Sequence, residues 1–525
     1  MRSICYFLFF AILLTACSKA ASNNENPEQP ETEAPADSIA EPAVLPDTMY
    51  ASAEVLQYAV EVADTTVSGE LRFTHSEYTD SASHLTFRNN ALRDADFGGR
   101  IKGTPTEIIV DWTFNTANNG GETSYGSWGG STGWTGQPLY VQWPDSVFRK
   151  MQQAPGVTDQ FDAAEIIFGS LTGKIYFLNP QTGKESRTPL DAGAVVKGTP
   201  SLDPSFNGNL YVGQGVPFKG GSMGNEAFNL FTMERFYYMP HDSKARRGWN
   251  AFDSSPICAG GFLFWPGENG TLYKYVREPG QLKLHSALRY NVKGMSAPGM
   301  EASMAVYSNY GYTADNHGNI LCINLNTMKP VWRYDNRDDN DSSPVVGVED
   351  GKPYIYVGCE VDKKGDGGVA RLAKIDGLTG EALWVVEEVC NRWHVNEKKT
   401  IDGGIFGTPL LGSGNCADIV YTNPCKHGKE KGVVLAIDRK TGKELFRTQL
   451  KHYAWSSMVS TTNEKGEMYI FLGDCAGNVY LINGKDGNII FTKAVGNNFE
   501  SSPVVFGNSC VVGSRGTTIY RFSIK

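Results

Sequence analysis

The sequence has no long stretch of helical periodicity, no basic field and little charge of either sign. Charged side chains make up 20% of its 525 residues, and the net charge is −9. Seven acids and no Lys or Arg fall in residues 20–50, and the chain before them carries only Arg2 and Lys19. The body from Ala51 therefore retains about −4 of the total. That near-neutrality excludes a nucleic-acid surface and a second, basic contact with a membrane. No HExxH, P-loop or CxxCH motif occurs, so the signatures of a zinc peptidase, a phosphate cradle and an attached haem are missing.

What is present begins with an address. The opening MRSICYFLFFAILLTAC has one early Arg and an apolar stretch too short for a comfortable membrane span. It closes on Leu14-Thr15-Ala16-Cys17, which resembles a bacterial lipobox. The resemblance implies a signal peptide over 1–16, lipidation of Cys17 and stable anchoring by several acyl chains. Residues 17–50 are rich in Pro, Glu, Asn and Ala, and read as a disordered acidic tether. Residues 51–85 hold alternating pieces, LQYAVEV and ELRFTH, that fit a short β extension.

From residue 86 onward, short β-branched and aromatic runs alternate with Gly, Asn and Asp turns, in a chain of 58 glycines. This predicts an all-β fold. One pattern recurs: SSPICAGGF from 254, SSPVVGVED from 342 and SSPVVFGNS from 501, each led by an acid, Asp253, Asp341 or Glu500. Relaxed to two small residues and Pro before an apolar strand, it marks Gln137-Pro138, Thr199-Pro200, Ser255-Pro256, Ala297-Pro298, Ser343-Pro344, Thr408-Pro409 and Ser502-Pro503, with a Pro-less copy at Ser456-Ser457-Met458. The intervals are 62, 56, 42, 46, 65, 49 and 45 residues. The shortest match one four-stranded propeller blade. Within the repeats, strands end in turns such as IDGLTGEALW and IDRKTGKELF, where Asp can bond its own backbone and Gly supplies positive φ. A bulky residue then opens the last strand. Trp332, Trp384, Phe446 and Phe491, together with Trp112, are expected to pack between blades.

These motifs resemble those of the PQQ-type, quinoprotein-like propellers. The resemblance implies an eight-bladed β-propeller of four-stranded antiparallel blades over 86–525. The last anchor leaves only 22 residues, enough for three strands, whereas TEIIVDWTFNT at 106–116 is a strand without a blade. Pairing the two closes the ring and leaves no open edge. Thr104-Pro105 is then a decoy anchor.

Three functions follow from the resemblance. A quinone-dependent dehydrogenase needs PQQ and Ca2+, and enzymes of this superfamily often carry adjacent cysteines. None are adjacent here, so neither PQQ nor Ca2+ is expected. The propeller subunit of the outer-membrane barrel-assembly machine is a lipidated propeller of this type without PQQ. That similarity implies a non-catalytic scaffold in the cell envelope, anchored to the outer membrane and binding proteins as a monomer. The third reading is a propeller that binds or cleaves polysaccharide. Four long loops motivate it, carrying Tyr125, Trp128 and Trp134; Arg246, Arg247 and Trp249; Arg392, Trp393 and His394; and His452, Tyr453 and Trp455. Aromatic faces beside polar groups suit sugars or protein side chains. Two weaker groupings are Cys425 with His427, and Asp338, Asp339 and Asp341 in RDDNDSS. The latter lacks the spacing of a known calcium loop and reads as a solvated cap. No metal site is assigned. Cys416 and Cys425 flank one strand pair and could form a disulfide.

Overall fold

The computed structural model describes residues 43–525, apart from 72–74, 79–81, 95–97, 117–120, 129, 134–135, 364, 366, 398 and 429–430. Cys17 and Trp134 lie outside the described residues. The chain is an all-β propeller, and among the described residues no helix is long and apolar enough to cross a membrane.

Consecutive strands pair antiparallel into radial sheets. The first joins Leu139–Gln142, Ala164–Gly169, Lys174–Leu178 and Leu190–Asp191. Sheets of the same order follow from 201 to 239, 257 to 292, 305 to 335, 345 to 389 and 459 to 494. The last regular sheet takes Val504–Phe506, Ser509–Gly513 and Thr518–Ile524 from the C-terminus, and Ile108–Asn115 as its outer strand. The ring thus closes as the orphan strand predicts. Regular blades number seven rather than the expected eight. Six strands between 403 and 449 and Glu360–Val361 make an irregular seven-stranded sheet, because Lys431–Asp438 pairs with Ile419–Thr422, Glu444–Gln449 and also Cys425–His427.

The strand-closing turns form as the sequence predicts. Asp376 Oδ1 accepts the N–H groups of Leu378 and Thr379, and Asp438 Oδ1 those of Lys440 and Thr441. Each turn receives an aromatic from the preceding sheet. Trp112 Nε1 donates to Pro180 O, Trp332 Nε1 to Gly377 O and Trp384 Nε1 to Arg439 O, at 2.9–3.0 Å. A Cβ at Gly183, Gly380, Gly442 or Gly487 would strike the ring of Trp112, Trp332, Trp384 or Phe446, respectively. Trp332 is fully buried, while Trp112, Trp384, Phe446 and Phe491 are half-buried.

Hydrogen bonds link the repeated anchors around the axis, except between Thr199 and Ser255, where Ser201 Oγ meets Ser255 Oγ at 3.0 Å instead. Gln137 N–H donates to Thr199 Oγ1, Ser255 N–H to Ser303 Oγ, and Ser303 N–H to Ser343 Oγ. Ser343 N–H donates to Thr408 Oγ1, Thr408 N–H to Ser457 Oγ, and Ser457 N–H to Ser502 Oγ. Ser502 N–H then reaches Gly136 O. One anchor is corrected: Ser303, not Ala297-Pro298, holds the ring position. At six positions the acceptor is a hydroxyl rather than anything a proline supplies, which is also why Ser457 serves without one.

Residues 84–94 thread this ring from within. The N–H groups of Leu202, Val306 and Val346 donate to the carbonyls of Leu85, Ala91 and Leu92. Arg88 donates to Met458 O and Pro409 O, and Arg93 to Met304 O and Ser255 O. Both arginines are fully buried. The segment ahead of them also docks. Leu56–Val62 adds a fifth strand to Gln281–Val292. Folded contact begins before Ala51, since Leu45 N–H donates to Asn309 Oδ1 and Tyr310 Oη to Pro46 O.

Candidate functional site at the mouth of the ring

The residue two places before each ring position stands at the mouth of the axis. Around the ring these are Lys197, Asp253, Glu301, Asp341, Phe406, Trp455 and Glu500, with Thr135 outside the described residues. One arc is therefore acidic and the next aromatic. The acid that leads the repeated Ser-Ser-Pro, expected to cap a turn, instead joins a carboxylate group.

Residues ending the second strands extend the acidic arc. Asp253, Glu268 and Glu301 form one triad, and Asp339, Asp341 and Glu360 another; in each, carboxylate oxygens lie within 4.8 Å of one another. The first is partly compensated by Lys197, which is ion-paired with Asp253. Burial works against the lysine's charge, yet Asp253, Glu268 and Glu301 together hold its pKa above the usual value. Burial also pushes the Glu268 carboxyl well up, and the neighbouring carboxylates add to it. Its Oε2 accepts Trp249 Nε1 at 2.9 Å, and its Oε1 is buried with no hydrogen-bond partner. In the second triad, burial raises Asp339 to about 7 against the opposing charge of Lys363.

The aromatic loop residues split into two groups. Trp249 meets Tyr125 edge-on at 5.7 Å, beside the first triad. Trp128 is half-buried, with the Arg515 guanidinium 4.7 Å above its ring. Arg247 Nη1 donates to Glu268 O, whereas Arg246 is exposed. Of these residues Trp249 and Arg247 bond Glu268, while Trp128 packs under Arg515.

The second group is a pocket. Trp393, His427, Gly428, Lys431, His452 and Tyr453 line a cavity of about 220 Å3. Trp393 is 44% exposed and sits 6.2–6.5 Å from the rings of His427, His452 and Tyr453. Tyr453 continues to Trp455, whose ring lies 4.8 Å from Phe406 at the mouth. Burial lowers the pKa of both histidines, favouring neutral rings. His394 lies on the exposed hairpin Trp393–Asn396, and Arg392 pairs with Asp402 at 2.7 Å. Sequence reasoning took His427 only as a weak partner of Cys425 and missed Lys431 here, and it missed Glu268, Glu301 and Glu360 at the mouth. The phase of the repeat was the signal for Glu301.

Among the described residues Cys416 and Cys425 are both free, which corrects the disulfide reading. Cys425 Sγ instead donates to Ala454 O at 3.2 Å.

Residues 430–525 match a family model described as "Outer membrane protein assembly factor BamB". No curated protein matches the chain. Among solved structures, BamB from Moraxella catarrhalis is 16% identical, covering 80% of this chain and 100% of its own, with a TM-score of 0.50. Quinohemoprotein alcohol dehydrogenase from Comamonas testosteroni is 14% identical over 86% of this chain and 82% of its own, with a TM-score of 0.57. The corresponding enzyme ADHIIG from Pseudomonas putida HK5 is 12% identical over 86% and 81%, also with a TM-score of 0.57.

The dehydrogenase likeness raises the question of PQQ. PQQ is a tricarboxylate, and its site must supply positive charge. The acidic arc offers six carboxylates, while Lys197 and Lys363 are already ion-paired with Asp253 and Asp339. Without a bound cation, these carboxylates and paired lysines offer that anion no free positive charge.

Proposed function

We propose that this PQQ-like propeller, which resembles BamB, is a non-catalytic binding scaffold of the cell envelope, lipidated at Cys17 and working without PQQ or a quinone-bound Ca2+. The observation that carries this reading is the rim around Trp393. A hairpin, Trp393–Asn396 with Lys399–Ile401, projects an exposed Trp and Val395 beside the aromatic pocket. Exposed apolar surface rimmed by polar groups marks a partner site. The hydroxyl ring supports counting the irregular sheet as an eighth sector, because Thr408 takes its turn between Ser343 and Ser457. The BamB family match over 430–525 includes part of this sheet.

Pull-down from membranes with the lipidated chain tests the reading. Recovery of envelope assembly proteins, lost on Trp393→Ala, is the expected result. Reproducible dye-linked alcohol oxidation after loading with PQQ and Ca2+ would overturn it. The pocket favours one alternative, a polysaccharide ligand, since Trp393 and Tyr453 line it beside His452 and Lys431. Glycan binding that disappears with Trp393→Ala, and no protein recovery, would select that alternative.

A further inference from the structure

We propose that Asp339, Asp341 and Glu360 form a binding site for a divalent cation of the Ca2+ class. Two elements bring the three together. The loop over 336–343 precedes the inner strand Val345–Glu349, and the short strand Glu360–Val361 follows Lys352–Gly358. Backbone bonds clamp these elements: Asp341 N–H donates to Glu360 Oε1 at 3.2 Å, and Glu360 N–H to Asp339 O at 2.8 Å. Asp338 is turned elsewhere. Its carboxylate accepts the N–H groups of Asp339, Asp362 and Lys363, so Glu360 takes the place that the acidic run alone gives to Asp338.

The surroundings of the carboxylates point to a ligand. Asp341 is 8% exposed and Glu360 4%. Among the described residues no lysine, arginine, hydroxyl or backbone N–H donates to the Asp341 carboxylate, which faces Glu360 and Asp339 instead. Asp339 Oδ1 is also buried without a partner, while its Oδ2 takes Lys363 Nζ at 2.9 Å. A buried carboxylate without a donor is costly, and three converging on one point repel one another. One lysine offsets one charge, leaving the rest for a cation. All-oxygen carboxylate donors match a hard divalent ion rather than a soft one. Asp339 keeps some solvent exposure, which gives the ion a way in.

The site lies at a junction. Glu360–Val361 pairs with Gly403–Gly404, at the end of the loop that carries Trp393. A bound ion would fasten the regular sheet at 345–389 to that rim. This inference stands apart from the scaffold reading, because ion binding is measurable whatever partner the rim takes.

Detergent-solubilised full-length protein, treated with chelator and dialysed, would be titrated with CaCl2, MgCl2 and MnCl2 by calorimetry and thermal melting. The expected result is saturable Ca2+ binding with a raised Tm, weakened at least tenfold by Asp341→Asn and by Glu360→Gln, and unchanged by Glu268→Gln in the neighbouring triad. Absence of heat and of any Tm shift at millimolar ion in the wild-type chain would overturn the proposal, and that measurement needs no variant to fold. A Ca2+ response untouched by Asp341→Asn and Glu360→Gln, or lost equally with Glu268→Gln, would overturn it too. Shared protons would then hold the carboxylates together.

Discussion

Lys274 is the side chain whose burial has the plainest consequence. It is fully enclosed, its ammonium 4.1 Å from the centroid of Phe262, and donates to Leu325 O and Gly69 O. No carboxylate is ion-paired with it among the described residues, and burial lowers its pKa to about 7. The unfolded chain keeps the ordinary value near 10.4. Below about pH 7 both states hold the proton and the folded protein bears the whole cost of burying the charge. Between about 7 and about 10 the folded state sheds a proton that the unfolded state retains, so stability rises with pH, by about 1.4 kcal/mol per unit for this group. Denaturant melts across that range should show the slope in the wild type and a flatter one in Lys274→Met, which should also be the more stable protein at pH 7. Equal slopes would rule the account out. Its counterpart in a later sheet, Lys374, has an ion-pair partner instead, Glu349 at 2.7 Å.

At the scale of the element, the unit is a strand-closing turn plus the aromatic that the previous sheet lays on it. Trp332 shows both halves. It is fully buried, bonds Gly377 O and covers Gly380, whose φ of +79° and clearance from the ring leave no room for a side chain. Trp332→Ala should cost about 3–5 kcal/mol, as large aromatics do when a cavity is left. Trp332→Phe should cost less, since it mainly loses the indole hydrogen bond. Gly380→Ala should destabilise from the opposite side by forcing both φ and the ring contact. Equilibrium denaturation of the three variants measures this; a Trp332→Ala protein within about 1 kcal/mol of wild type would mean the wedge adds little to blade packing. The turn, the glycine and the aromatic were all legible in the sequence, because each sits at a fixed offset within one repeat. What the aromatic touches was not, because its partner glycine belongs to the following repeat.

At the scale of the whole molecule, the ring is held by contacts between the two ends of the chain. Ile108–Asn115 pairs along Thr518–Ile524, and Trp112 covers the turn of the first sheet. Removing residues 518–525 exposes the edges on both sides of the seam. The truncated chain should melt about 10 °C lower and self-associate in size-exclusion chromatography; an unchanged, monomeric melt would show that closure is dispensable. The axial segment ties the same ring from inside. Arg88 and Arg93 donate to carbonyls just ahead of inner strands from different sheets, meeting acceptors that the strand pattern leaves unpaired. Nothing in NNALRDADFGG announces that role, since a buried arginine looks like a surface one until the carbonyls it serves are assembled.

The sequence by itself determined the strands, the turns, the repeat and the closure of the ring, because these depend on offsets along one chain: the alternation of a strand, an Asp before a Gly, a hydroxyl before an apolar run. Even the misplaced anchor at Pro298 erred within that logic, since the ring asks for the hydroxyl of Ser303 and the proline only often accompanies it. Tertiary structure alone decided which side chains share the mouth. Asp341 lies in the loop before Val345–Glu349 and Glu360 in a strand of the adjoining irregular sheet, Phe406 and Trp455 lie in successive repeats, and His427 and His452 meet Trp393 only after the ring has bent. Their chemistry comes from convergence and burial, and both are properties of the closed ring that no local run of residues carries.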